Sequence, residues 1–244
     1  VENAVKTAIA AGYRSIDTAA DYANEPGVGR AVRSSGVLRE DIFVTTKIWN
    51  SEQGYDSTLR AFEQSLKRLE MDAVDLLLIH WPVKGKYKDT WRALETIYAE
   101  GTARAIGVSN FHIHHLEDLF TIAKVVPAVN QVEFHPRLNQ AKLHRYCKEH
   151  RIQLEAWSPL MLGRLMDHPT ILNLAATHHK TPAQIILRWD LQKEVVTIPK
   201  SVRPERIVEN ARIFDFELSI DEMERIDRLN QDLRTGPDPD DFDF

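Results

Sequence analysis

The chain has 244 residues, 43% of them hydrophobic and 27% charged, which suits a globular protein of one large domain. Its net charge of −5 argues against a general nucleic-acid binder, and its single cysteine, Cys147, excludes an internal disulfide and a thiolate metal site. No run approaches the ~18 apolar residues that a membrane span needs, so we expect a cytoplasmic protein with neither nucleic-acid nor membrane partners. No long heptad is visible, so we expect a monomer.

Short apolar runs predict seven strands: YRSID, DIFVTTK, AVDLLLIH, ARAIGVS, AVNQVEF, IQLEAWS and VVTIP. Longer amphipathic stretches lie between them. Leu59, Phe62, Leu66 and Leu69 recur at steps of three and four residues, which is typical of one helix face, and a later stretch stops at Gly101. The strand runs are almost continuously apolar, as in strands buried on both faces. This alternation predicts an α/β protein with a parallel sheet, either open or closed into a (β/α)₈ barrel.

The first glycine-rich stretch favours the barrel. An open sheet that binds a dinucleotide usually has G-x-G-x-x-G directly after its first strand. GVGRAV, from Gly27 to Val32, lacks the third glycine and does not follow a strand directly, so we interpret it as a helix start. We expect one domain over residues 1–244, in which the acidic, proline-containing residues 235–244 form an irregular tail.

A barrel predicts where the chemistry lies, because its active sites sit at the carboxyl ends of the strands. Each predicted strand ends in a group that can bond or stack: Asp17, Lys47, His80, Ser109–Asn110, Gln131, Trp157–Ser158 and Lys200–Ser201. Three of these come from consecutive strands, and Tyr22 follows the first of them closely. We therefore expect Asp17, Tyr22, Lys47 and His80 to lie side by side.

These four side chains suit general acid catalysis on a carbonyl group. A tyrosine has a pKa of about 10, and a cation within ~4–6 Å lowers it. Lys47 can supply that cation, Asp17 can hold Lys47, and His80 can donate a hydrogen bond to the substrate oxygen. Each residue alone also has a structural interpretation, such as a turn cap for Asp17; only their joint placement favours a site.

None of the four is a nucleophile or part of a metal cluster, so the electrons must come from a hydride-donating cofactor. The later strand ends offer groups for one: Trp157, Ser109, Asn110 and Gln131 for a nicotinamide and its carboxamide, and Lys200, Ser201 and Arg206 for a phosphate.

Other residue groups give weaker indications of function. His112, His114 and His115 are closely spaced at a helix start without an acidic ligand, which favours an exposed helix over a metal site. A tyrosine and a lysine four residues apart on one helix would indicate the short-chain dehydrogenases. Tyr22 and Lys47 lie on different elements, which excludes that family.

Several longer motifs resemble, in order, the signatures of the aldo-keto reductases: GYRSIDTAADYANEPGVG (Gly12 to Gly29), LLLIHWP (Leu76 to Pro82), GVSNF (Gly107 to Phe111), NQVEFHP (Asn130 to Pro136) and TIPKSVRPERIVEN (Thr197 to Asn210). The resemblance runs from the first residue to the tail. EAWSPLMLGRL and the GPDPDDF ending are similar to the bacterial branch that includes glyoxal/methylglyoxal reductases and 2,5-diketogluconate reductases.

The resemblance implies a role for each matching residue. Tyr22 would be the proton donor, tuned by Lys47 and Asp17, and His80 would orient the carbonyl. Trp49 and Trp81 would line the substrate pocket beside His80. NADPH would be held by a larger set: Ser109, Asn110 and Gln131 at the carboxamide, Trp157 at the nicotinamide, Lys200, Ser201, Arg203 and Arg206 at the 2′-phosphate, Glu209 and Asn210 at the adenine, and Ser158, Leu160 and Val202 elsewhere along the cofactor.

The implied activity is metal-free, NADPH-dependent reduction of small aldehydes and ketones, such as α-dicarbonyls or sugar-derived carbonyls. An alternative is a regulatory, redox-sensing module of the same fold with little turnover, although such a sensor need not keep the proton donor. Family members also begin with a hairpin and a first barrel strand, so we expect seven of the usual eight strands in this sequence.

Overall fold

A computed structural model describes residues 1–244. The chain divides into two compact units, residues 1–130 with 243–244, and residues 131–242. Seven strands, β1 to β7, follow one another in sequence order within one sheet. The single domain expected from the sequence stays a prediction, and the two units are described in turn.

The first unit alternates helices and parallel strands. Its elements are α1 (Glu2–Ala10), β1 (Ser15–Asp17), α2 (Glu25–Arg33), β2 (Phe43–Ile48), α3 (Tyr55–Leu69), β3 (Val74–Ile79), α4 (Tyr87–Ala99), β4 (Ala103–Ser109), α5 (Ile113–Phe120) and the start of β5 (Val129–Glu133). The strands pair in parallel, β1 with β2, β2 with β3 and β3 with β4. Short 3₁₀ turns cover Ala20–Tyr22, Arg39–Asp41 and Asn50–Glu52.

The second unit continues the same alternation. After β5 come α6 (Ala141–Glu149), β6 (Gln153–Trp157), a 3₁₀ turn (Met161–Gly163), α7 (Pro169–His178), α8 (Pro182–Gln192), β7 (Val196–Thr197), α9 (Pro204–Asn210) and α10 (Ile220–Asp227). β6 and β7 pair in parallel. Residues 235–244 hold only an isolated bridge between Asp238 and Asp241. No helix combines the length and the apolar character that a bilayer crossing requires.

All seven predicted strands are confirmed, and the most apolar of them, β3, is buried along its whole length. The helix predicted from the spacing of four apolar residues is confirmed as α3. Phe62 and Leu69 are buried, but Leu59 and Leu66 are only half-buried, and the smaller residues Ala61 and Ser65 are buried instead. Small side chains on this face allow neighbouring helices to approach closely.

The glycine-rich stretch lies inside α2, as a helix rather than a phosphate loop. A Cβ at Gly29 would stand 2.0 Å from the carbonyl oxygen of Leu69 at the end of α3. Gly29 therefore serves helix packing, because any side chain there would push the two helices apart.

Candidate active site

Asp17 and Lys47 end the neighbouring strands β1 and β2 and form a buried ion pair. The Lys47 Nζ lies 2.8 and 2.6 Å from the two carboxylate oxygens of Asp17 and 2.9 Å from the main-chain oxygen of Thr18. The Lys47 side chain is 0% exposed. A charge without access to water needs a partner, so Asp17 fixes the ammonium in place.

Tyr22 and His80 lie beside this pair. Tyr22 ends the 3₁₀ turn after β1, and the Lys47 Nζ is 5.0 Å from the centre of its ring. The Tyr22 ring meets the His80 imidazole edge-on, with ring centres 5.7 Å apart. His80 directly follows β3. The structure thus brings together the four side chains that were expected to lie side by side.

The expectation that Lys47 lowers the pKa of Tyr22 holds only in part. Burial of the phenol is the largest influence and raises the pKa; Lys47 opposes it and Asp17 adds to it, so the pKa of Tyr22 lies above its ordinary value. The burial is partial, since Tyr22 remains 46% exposed. The phenol is therefore protonated at neutral pH, as a proton donor must be, and the nearby ammonium can stabilise the phenolate that proton transfer would leave.

His80 is neutral over the physiological pH range. Burial, and then the charge of Lys47, lower the pKa of His80 to about 3. Its Nδ1 is buried and has no hydrogen-bond partner in the protein. A neutral imidazole carries one N–H, which can be offered to a carbonyl oxygen.

An aromatic cluster that includes Trp49 and Trp81 begins at His80. Trp49 meets His80 with ring centres 5.0 Å apart. Phe244 stacks on Trp49 at 5.8 Å and meets Trp81 edge-on at 5.2 Å, and Asn50 donates a 3.0 Å hydrogen bond to the main-chain oxygen of Phe244. Phe244 was not predicted as a site residue, because nothing in the sequence distinguishes it within an irregular tail.

Ser109 and Asn110 are buried at the end of β4. The Asn110 backbone has a φ of +64°, in the left-handed region. Its Nδ2 donates to the main-chain oxygen of His80 at 3.0 Å and to the Oγ of Ser109 at 3.1 Å. Asn110 therefore ties the ends of β3 and β4 together.

In the second unit, most of the predicted cofactor residues line one groove of about 570 Å³. They are Ser158, Leu160, Lys200, Ser201, Arg206, Glu209 and Asn210. The Ser158 Oγ is buried and has no hydrogen-bond partner in the protein. A buried hydroxyl is rarely left unpaired, and two cations share its groove, so these walls fit an anionic, phosphate-bearing ligand such as a dinucleotide.

Gln131 and Trp157 are held by neighbours that the sequence did not reveal. The Gln131 Nε2 donates to the Oε1 of buried Glu155 at 2.5 Å, which fixes the orientation of the amide. The backbone of Gly236 lies against Trp157, because a Cβ there would stand 2.5 Å from the Cη2 of the indole.

Two residues of the predicted cofactor set, Val202 and the phosphate ligand Arg203, lie outside the lining of this groove. Val202 is 69% exposed, and Arg203 is exposed at the start of α9. The Arg203 N–H instead donates to the Oγ of Ser201 at 3.1 Å, so this turn orients the hydroxyl of Ser201.

The three clustered histidines form a helix start. His112 is the N-cap of α5, and its backbone N–H donates to the Nδ1 of His115 at 3.1 Å. A neutral imidazole that accepts at Nδ1 carries its proton on Nε2, so His115 cannot ligate a metal through Nε2 while it keeps this bond. His112 and His115 thus form a capping box at the start of α5.

The sequence matches the Aldo/keto reductase family over residues 1–231. It is 63% identical to the uncharacterized oxidoreductase YtbE of Bacillus subtilis (strain 168), over 99% of this chain and 88% of that protein. Identity to the glyoxal reductase of the same organism is 62%, over 98% of this chain and 87% of that protein. Identity to the methylglyoxal reductase DkgA of Salmonella typhimurium is 46%, over 98% and 88%.

Solved structures that are similar to this chain indicate the same family. An aldo-keto reductase, MGS-M4, from a Medee basin deep-sea metagenome library superposes with a TM-score of 0.98 at 50% identity, over 100% of this chain and 91% of that one. A variant of Gox0644 in complex with NADPH gives a TM-score of 0.95 at 45% identity, over 100% and 90%. The predicted fold, with seven parallel strands, is confirmed, and the chain belongs to the aldo/keto reductase family.

Proposed function

We propose that this protein uses NADPH to reduce the carbonyl group of small aldehydes and ketones, and that Tyr22 donates the proton. The buried ammonium of Lys47, paired with Asp17 and 5.0 Å from the Tyr22 ring, is the observation that carries this proposal. A fixed cation beside a protonated phenol has no evident packing purpose, and it is what a proton donor to a carbonyl oxygen needs. Similarity to a glyoxal reductase and a methylglyoxal reductase supports small α-dicarbonyls as the substrate class.

The side chains divide the work at the carbonyl oxygen. The neutral His80 donates its N–H to the oxygen and orients it. Tyr22 then transfers its phenolic proton as negative charge develops there, and Lys47 stabilises the phenolate while Asp17 keeps the ammonium in position. When bound, NADPH supplies the hydride.

The residues proposed to bind NADPH lie largely along the groove of the second unit. The family resemblance assigns Lys200, Ser201 and Arg206 to the 2′-phosphate and Glu209 and Asn210 to the adenine, and all five line that groove. The remaining assignments follow the family resemblance: Trp157 at the nicotinamide, Gln131, Ser109 and Asn110 at the carboxamide, and Ser158 and Leu160 along the groove wall.

Further features belong to the same proposal. We expect the protein to act as a monomer in the cytoplasm, without nucleic-acid or membrane partners. Size-exclusion chromatography with light scattering, over a range of concentrations, would test the monomer.

NADPH binding and NADPH oxidation with methylglyoxal, measured separately, test the proposed function. We expect Tyr22→Phe to lower kcat by about 10³-fold or more while the NADPH Kd changes little. Tyr98→Phe is the matched control, because Tyr98 is similarly exposed, at 42%, on α4, and it should leave both quantities unchanged. Turnover in Tyr22→Phe equal to wild type would remove Tyr22 as the acid, and tight NADPH binding without turnover in wild type would favour a sensor.

A further inference from the structure

Glu133 is a buried carboxylate that the proposed chemistry does not use. It is the last residue of β5, and its side chain is 0% exposed. Its Oε1 accepts from the backbone N–H of Thr235 at 2.6 Å and also from the Thr235 hydroxyl, and its Oε2 accepts from the backbone N–H of Gly236 at 3.2 Å. The ring of His135 lies 3.1 Å from the same Oε1. Two successive tail amides are therefore held by one carboxylate from a strand.

The electrostatics of Glu133 suit this task. Burial disfavours the charged form, but hydrogen bonds from His135, Thr235 and Gly236 outweigh it, and the pKa of Glu133 is lowered. The group is a carboxylate at neutral pH, and hydrogen bonds to a charged acceptor are stronger than those to a neutral one. Packing alone would not require a buried charge, which is costly to desolvate.

The attachment places the tail against Trp157. Gly236 follows Thr235 directly, and its backbone lies so close to the indole that a Cβ would stand 2.5 Å from Cη2 and 3.3 Å from Cζ3. On the strand side, Phe134, the neighbour of Glu133, donates its backbone N–H to the main-chain oxygen of Trp157 at 3.3 Å. Both the backbone and the ring of Trp157 are therefore constrained by residues next to, or bound by, Glu133.

We propose that Glu133 is a positioning residue. By latching the tail at Thr235 and Gly236 it fixes the Trp157 indole in the orientation that receives the nicotinamide ring. This inference rests on the proposed function, because it assigns Trp157 to the cofactor. The latch, defined as Glu133 with Thr235 and Gly236, acts through the tail, and Glu133 itself touches neither substrate nor cofactor.

The substitution Glu133→Gln tests the latch while keeping its shape. The glutamine amide offers one oxygen, and its NH₂ group opposes one of the two tail N–H donors. We expect the NADPH Kd to rise about tenfold, as the loss of one charge-assisted hydrogen bond allows. Glu149→Gln is the control, since Glu149 is exposed on α6, and it should leave the Kd unchanged.

A double-mutant cycle separates positioning from general destabilisation. If Glu133 acts through the indole, Glu133→Gln should change the NADPH Kd much less in a Trp157→Phe background than in wild type. An equal factor in both backgrounds would overturn the proposal, because it would show an effect independent of Trp157. Gly236→Ala, whose methyl group must displace the ring or the tail, should raise the Kd as Glu133→Gln does.

Limited proteolysis tests the attachment of the tail without any cofactor. Trypsin can cleave after Arg234, next to the latched Thr235, and mass spectrometry can monitor that bond in the full chain. We expect Glu133→Gln to speed this cleavage several-fold, and unchanged cleavage would show that no latch exists. Failure of wild type to bind NADPH would instead refute the proposed function and, with it, the role of the latch at the cofactor.

Discussion

Lys47 and Asp17 form an ion pair in which the ammonium is wholly enclosed while the carboxylate side chain retains 13% exposure. Both oxygens of Asp17 contact the same Nζ, at 2.6 and 2.8 Å. The geometry makes the two residues one unit: removing the acid leaves an unpaired buried charge, and removing the base leaves Tyr22 without its cation.

Asp17→Asn should therefore affect both stability and catalysis. We expect the free energy of unfolding to fall by about 3 kcal/mol, the usual result of breaking a buried pair, as urea denaturation would measure. Asp89→Asn is the control, since Asp89 pairs with Arg92 at the surface, where a pair contributes at most about 1 kcal/mol. Equal losses in the two variants would contradict the buried-pair interpretation.

The same variant should shift the pH dependence of reduction. Asp17 raises the pKa of Tyr22 and Lys47 lowers it, so without Asp17 the phenol should ionise at lower pH. Reduction needs the protonated phenol; hence the alkaline decline of kcat should move to lower pH, and kcat at pH 7 should fall about 10²-fold because Lys47 is no longer held.

His80 should make the folded state sensitive to acid. Its pKa is about 3 in the folded protein, against about 6.5 in an unfolded chain. As the pH falls below 6.5 the unfolded chain takes the proton first, so stability present at pH 7 is lost progressively down to about pH 3. Between pH 7 and 5 this group should cost about 2 kcal/mol.

Urea denaturation of wild type and His80→Gln at pH 7 and 5 would measure that loss. The variant should lose less stability than wild type over this interval. His179→Gln, which alters an exposed imidazole, should behave as wild type. Identical pH dependence in wild type and His80→Gln would show that His80 takes up its proton near the ordinary pKa.

The sequence predicted the core of the site because a parallel sheet converts order along the chain into proximity. Asp17, Lys47 and His80 come from consecutive strands, so their side chains meet wherever those strands end. Tyr22 follows within a few residues and cannot lie far away. Local pattern was enough to place these four side chains together.

The same reasoning could not find Phe244 or Glu133. Asn50 and Phe244 are 194 residues apart, and Glu133 and Thr235 are 102 apart, so no local period connects either pair. An irregular tail has no repeating face from which burial could be inferred. The raised pKa of Tyr22 could not be predicted from the sequence either. It depends on how much of the ring is buried, which is a property of packing.

Arg206 and Arg203 should differ in their effect on cofactor choice. Arg206 lines the groove of the second unit and Arg203 does not. Arg206→Ala should weaken NADPH by about 10–100-fold, as loss of a charge-assisted contact to the 2′-phosphate would, and should weaken NADH far less. Arg203→Ala should change the NADPH Kd less than threefold, roughly the effect of an exposed charge.

Titration of protein fluorescence with each cofactor would measure these constants. Equal weakening of NADPH and NADH by Arg206→Ala would place that guanidinium away from the 2′-phosphate. A larger effect of Arg203→Ala than of Arg206→Ala would show that the family resemblance predicts the phosphate ligands better than the groove does.

Phe244 should set the size of carbonyl compound that the protein accepts. Its ring stacks on Trp49 and abuts Trp81, so it narrows the space beside His80. Phe244→Ala should raise the KM for methylglyoxal about tenfold, since burial of a small substrate against the ring is lost, while kcat changes little because the four catalytic groups stay in place. Bulky aromatic aldehydes should gain in kcat/KM relative to wild type.

Phe214→Ala is the control for Phe244→Ala, as Phe214 is 76% exposed in the second unit. A fall in kcat with unchanged KM would mean that Phe244 orders the catalytic side chains rather than the substrate.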